Sequence, residues 1–114
     1  MKASDRSGVI KFAQVRAQIP GPDGKRSAPV LHRGTLDIKL NALLPPNENA
    51  KHAQDELYVV ITGRGVFVHG GARDRVEPGD VLFVAAGVEH RFEEFEELTV
   101  WRLYYGVNGG EIPV

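Results

Sequence analysis

The chain has 114 residues, enough for one core and too few for two, which excludes two-domain enzyme architectures. Its 42% hydrophobic and 25% charged residues are the balance of a folded globular protein and exclude a disordered one. Fourteen Lys and Arg against fifteen Asp and Glu leave a net charge of −1, so no global field recruits a phosphate backbone or an anionic lipid surface, and neither nucleic acid nor membrane is expected as a partner.

Thirteen Gly and seven Pro punctuate the chain, which predicts many short strands joined by tight turns. Val9 to Ile19 mixes apolar and polar residues without a clear period. It reads as an N-terminal strand, followed by a mobile connection through Pro20-Gly21-Pro22-Asp23-Gly24. Leu36, Ile38, Leu40 and Ala42 alternate with Asp37, Lys39 and Asn41, the period-two pattern of a half-buried strand, and Pro45-Pro46 stops it. Glu56 to Thr62 is β-branched and aromatic and runs into the Gly63-Arg64-Gly65 turn. Val66-Phe67-Val68 and a weaker Arg73–Glu77 segment flank His69-Gly70-Gly71-Ala72, a hairpin whose glycines supply positive φ. Strands are also predicted over Val81–Val84, from His90 through Phe92, and over Thr99–Tyr105, with Glu93 to Glu97 as a solvated acidic loop. Turn signals about every 8–12 residues, with about eight strands, indicate an all-β sandwich or barrel. The organisation expected is an N-terminal strand and loop over residues 1–30, a barrel over 31–105 and a loose tail over 106–114. No apolar run nears the ~20 residues of a membrane span, and the polar start Met1 to Arg6 has no apolar signal segment behind it, so the chain is expected to be cytoplasmic.

With no cysteine in the chain, disulfides, thiolate zinc sites and a cysteine nucleophile are excluded, and any metal must sit on His, carboxylate or water. His52 and Glu56 lie four apart; on a strand, positions 52, 54 and 56 face one side, so an imidazole and a carboxylate can converge above a sheet. His90 follows far downstream, where a glycine turn enters another strand. Two imidazoles and one carboxylate can occupy one face of an octahedral ion and leave the other positions open. Spacing by itself is more often met by surface or hydrogen-bonded side chains than by ligands.

At these residues the sequence resembles the cupin superfamily, as a small single-domain (monocupin) member. In the first cupin motif, His52 fits the second histidine of His-x-His, Glu56 the glutamate and Gly63 the closing glycine. In the second, Gly79, Gly87 and His90 fall in register, with Ala85 where proline is usual and Glu94 where asparagine is usual. The resemblance implies a double-stranded β-helix, or jelly-roll barrel, with the site inside. It also implies that His52, Glu56 and His90 bind a divalent transition metal such as Fe, Mn, Zn or Ni. Ala50 stands at the first histidine, so the family's four ligands are reduced to three here. Glu48, four residues before His52, is a candidate substitute, and Gln54 a candidate to hold substrate or a ligand water. Tyr58 and Phe92 share the inward parity of Glu56 and His90 and are expected either to line the pocket or simply to pack the core. His32 and His69 are not expected to be ligands.

The function implied is that of a metal-dependent protein acting on a small polar or anionic molecule by oxygenase or isomerase chemistry. The alternative is a non-catalytic cupin that binds a small ligand at a reduced metal site. Leu57, Val59 and Ile61 make the strand of Glu56 apolar on its other face as well. Something must cover it, an N-terminal strand of this or a second subunit, and a homodimer is expected.

Overall fold

Alternation along the chain sorts side chains onto two faces, and the computed structural model, which describes residues 7–112, shows what each face meets. The strands are β1 (Ser27–Arg33), β2 (Leu36–Leu43), β3 (Asp55–Thr62), β4 (Gly65–His69), β5 (Ala72–Val76), β6 (Val81–Val84), β7 (His90–Glu93) and β8 (Leu98–Tyr105). They form a five-stranded sheet in the order β1-β2-β8-β3-β6 and a three-stranded sheet in the order β5-β4-β7. The pairings are antiparallel, and β8 is inserted between β2 and β3. This is the all-β jelly-roll arrangement expected, although the two sheets remain separate and do not close into a complete barrel.

The space between the sheets is filled from both. Tyr58, Val60, Val84, Leu98 and Val100 meet Phe67, Val76 and Phe92 in one buried cluster. Glu56, Tyr58 and Val60 are buried on the inner face of β3, while Leu57, Val59 and Ile61 are half-buried on the outer one. The first strand begins at Ser27, before residue 31.

The expected N-terminal strand is instead a short helix, α1 (Phe12–Arg16). Phe12, Val15 and Ile19 are spaced three and four apart, which is helical periodicity, but it lasts too few turns to stand out in the sequence. The helix caps the outer face of β1, β2 and β8: Val15 and Ile19 pack with Ala28, Leu40 and Ala42, and Phe12 meets Trp101 edge-on at 6.2 Å. The following connection contains a 3₁₀ turn, Pro22–Gly24. The acidic loop is also more engaged than expected. Glu97 pairs with Arg16 (3.3 Å) and Arg26 (2.9 Å), and Arg73 reaches both Glu93 (2.6 Å) and Glu94 (2.8 Å).

A further correction concerns the stretch after Tyr105. Gly109 N–H donates to the Ala53 carbonyl (2.7 Å), and Glu111 N–H donates to Asp55 (2.9 Å). The other oxygen of the buried Asp55 carboxylate accepts from Ala86 N–H (2.9 Å). The chain through Glu111 is therefore fastened beside the entry to β3 rather than loose.

Candidate metal centre

Three separate segments deliver the cluster. Glu56 is the second residue of β3 and points inward, 1% exposed; His90 opens β7 in the opposing sheet and is 2% exposed. His52 does not lie on a strand: β3 starts only at Asp55, so the parity that linked residues 52, 54 and 56 does not operate there. The loop before β3 carries His52, and its backbone is held by the Gly87 amide donating to the His52 carbonyl at 2.8 Å. Ala50 pairs through its backbone with His90, at 2.9 and 3.0 Å, which docks the same loop onto β7.

One ligand atom from each of His52, Glu56 and His90 lies within 4.8 Å of the other two. His90 Nε2 is 3.0 Å from Glu56 Oε1, and His52 Nε2 is 4.0 Å from it. His90 Nδ1 is 3.0 Å from the Val88 carbonyl, which can only accept, so the neutral ring carries its proton on Nδ1 and turns a bare Nε2 toward Glu56. Two acceptors then face each other at 3.0 Å, both on buried side chains. Both Glu56 oxygens are buried without a hydrogen bond. Such a carboxylate is costly unless a cation sits with it, and a metal ion held by two imidazoles and this carboxylate meets that need. These residues fit the ion that the sequence resemblance implies.

A proton meets the same need in part. Burial disfavours the charged His90 ring, but the adjoining Glu56 carboxylate and the Val88 carbonyl together outweigh it and hold the His90 pKa above the usual histidine value. His52 moves the other way: burial lowers its pKa and the charges of His90 and Arg102 add to this, against the pull of Glu56.

Two phenols complete the lining. Tyr58 Oη lies 3.1 Å from His90 Nε2 and Tyr104 Oη lies 2.8 Å from His52 Nε2. Burial, and then the negative Glu56, push the Tyr58 hydroxyl far above the ordinary phenol range; the same two causes push Tyr104 up to about 12. Arg102 places its guanidinium carbon 3.7 Å from the Tyr104 ring centroid and pairs with Asp37 at 3.2 Å.

Of the residues singled out from sequence, His52, Glu56, His90 and Tyr58 therefore meet. Phe92 is buried in the adjoining core, with its ring 5.2 Å from Tyr58 and 5.1 Å from Phe67. The Gln54 amide donates to the backbone carbonyls of Gly106 (2.8 Å) and Thr35 (3.3 Å), which ties it to the chain end rather than to the cluster. Glu48 is exposed and outside the ligand group. His69 pairs with Asp74 at 2.7 Å, and His32 is exposed near Asp37. Sequence reasoning missed Tyr104, Arg102 and Asp55. The signal for the first two is the inward parity of Val100, Arg102 and Tyr104, which Trp101 and Leu103 mask by making the other face of β8 apolar too.

Residues 42–100, just over half of the chain, match the family model described as the cupin domain. The chain belongs to the cupin family. Among curated proteins this cupin is similar to the uncharacterized protein SCO3923 of Streptomyces coelicolor, 44% identical over 46 residues. That match takes in 40% of this chain and 44% of the relative, so it spans less than half the length of that protein. Among solved structures, a candidate mannose-6-phosphate isomerase from Ralstonia eutropha is 25% identical with a TM-score of 0.66, over 90% of this cupin and 100% of that chain. A candidate oxalate decarboxylase from Thermotoga maritima is 25% identical with a TM-score of 0.56, over 62% and 66%. BH2720 from Bacillus halodurans is 15% identical with a TM-score of 0.74 over 96% and 86%, a likeness of fold alone.

Proposed function

We propose that this cupin holds one divalent transition-metal ion on His52, Glu56 and His90 and acts on a small polar or anionic molecule by oxygenase or isomerase chemistry. The observation that carries this is the buried Glu56 carboxylate, without a hydrogen bond, facing Nε2 of His90 and of His52. Iron, manganese, zinc and nickel all accept such a donor set. When bound, an ion there supplies Lewis-acid polarisation of a substrate oxygen or, as iron, a place where substrate and dioxygen meet. Two neutral imidazoles and one carboxylate leave a dication with a local charge of +1, which favours an anionic ligand. The names of the Ralstonia and Thermotoga proteins refer to a sugar phosphate and a dicarboxylate, both small anions. Before an ion binds, the Tyr58 and Tyr104 hydroxyls retain their protons at neutral pH and serve as donors, and Val88 fixes the tautomer of His90.

The second reading, a non-catalytic cupin that binds a small ligand, is favoured by Ala50, whose methyl group cannot ligate where the resemblance calls for a histidine. Metal analysis of protein purified without chelator or histidine tag, beside a His52→Ala variant, separates the two. About one ion per wild-type chain, lost on substitution, is expected; near-zero metal in both samples would remove the enzyme reading as stated. Stoichiometric metal without turnover of sugar phosphates or small carboxylic acids would leave the second. We further propose a homodimer, supported by the apolar outer face of β3 and β6, where Val81 is 63% and Phe83 52% exposed beside the half-buried Leu57 and Val59.

A further inference from the structure

Ala50 leaves one ligand position without a side chain to fill it, and β8 brings a phenol oxygen to the cluster. Tyr104 is the cross-strand partner of Glu56, so both side chains rise from the same face of the five-stranded sheet. Its Oη is 2.8 Å from His52 Nε2, and the two rings lie 4.7 Å apart between centroids. Two atoms bound to one ion at about 2.1 Å and at right angles are about 3.0 Å apart. Both the Tyr104 Oη to His52 Nε2 distance of 2.8 Å and the Glu56 Oε1 to His90 Nε2 distance of 3.0 Å have that length.

We propose that Tyr104 Oη is the fourth protein ligand of the metal, beside His52, Glu56 and His90, in place of the side chain missing at Ala50. This rests on the metal-binding reading above. Coordination forms one oxygen–metal bond, breaks the phenol O–H bond and passes its proton to solvent, with no transfer of electrons. Without an ion the phenol is neutral; a bound cation becomes the largest local charge and reverses that preference. The Arg102 guanidinium, 3.7 Å from the ring centroid and anchored by Asp37, adds a second positive charge beside the phenolate so formed. Tyr58 is the competing phenol, with Oη 3.1 Å from His90 Nε2. Its ring is enclosed by Phe67 and Phe92 inside the core, where a phenolate is costlier than at the half-buried Tyr104.

A phenolate bound to ferric ion absorbs visible light by charge transfer, and neither imidazole nor carboxylate does so in the same way. The test is one equivalent of ferric citrate added to metal-free wild type, Tyr104→Phe and Tyr58→Phe, with bound iron measured after desalting. Wild type and Tyr58→Phe should show the band. Tyr104→Phe should lose it while keeping the unfolding midpoint of the metal-free protein, whether or not it retains iron. Wild-type protein that binds iron without the band, or a band that survives in Tyr104→Phe or vanishes only in Tyr58→Phe, would overturn the assignment and leave the three-residue site standing. Wild-type protein that binds no iron would overturn the assignment; it would count against the three-residue site as well only if manganese, zinc and nickel were also refused.

Discussion

His90 donates its Nδ1–H to the Val88 carbonyl, so whatever it binds next must come to Nε2, where a proton and a metal ion compete. Because its pKa is raised, the metal-free chain keeps a proton there to a pH above the usual histidine value of about 6.5. On the three-residue site alone, metal affinity should therefore climb with pH by about tenfold per unit below that pKa and level off above it, whereas a Tyr104 ligand, which gives up its proton on binding, adds about a further tenfold per unit across the neutral range. His52 has its pKa lowered, so its own part of the slope is lost at a lower pH than that of His90. Titrating Mn(II) or Zn(II) into metal-free protein between about pH 6 and pH 8 measures this, and an affinity independent of pH would contradict it. Sequence made the three clustered residues legible because their types and order are unusual together. Their partners were not legible, since Tyr104 reaches the site only through the β3–β8 register, a pairing between strands far apart in the chain.

Gly63 ends β3, and its role is set by a neighbouring backbone. At φ of +92°, a side chain there is strained, and a Cβ would also collide with the Glu97 carbonyl oxygen, which leads into β8. Gly71, in the β4–β5 hairpin, has φ of +87° with open space around it. Gly63→Ala should thus lose about 3 kcal/mol or more, combining backbone strain with overpacking, while Gly71→Ala loses about 1 kcal/mol from strain alone. Urea unfolding of the two variants separates these, and equal losses would show that the close approach to Glu97 carries no weight. The strands were readable in the sequence for an equally local reason: alternation and Gly or Pro punctuation act over a few residues. Helix α1 was not, because five residues give barely one turn of period and its apolar side is defined by Leu40, Ala42 and Trp101, which belong to distant strands. His52 does lie beside Glu56 and His90, but the parity argument that placed it there does not apply to its loop; the loop is positioned by Ala50 and Gly87 instead.

For the molecule as a whole, the outer surface of the five-stranded sheet is covered unevenly. Helix α1 shields the β1, β2 and β8 side, whereas Leu57, Val59, Val81 and Phe83 on β3 and β6 have no such cover among the described residues. A second copy seated there should give a light-scattering mass near twice 12.5 kDa at micromolar concentration, and Phe83→Asp should return it to one chain with the fold intact. A wild-type mass of 12.5 kDa would count against the dimer. The buried Asp55 carboxylate joins three places that are remote in sequence: it neighbours Glu56 and clasps the amides of Ala86 and Glu111. The segment at Glu111 and the turn leading to His90 are thus moored to one post next to the proposed ligand, so any shift of that post as the site fills would be felt at Glu111 without a hinge or a moving domain.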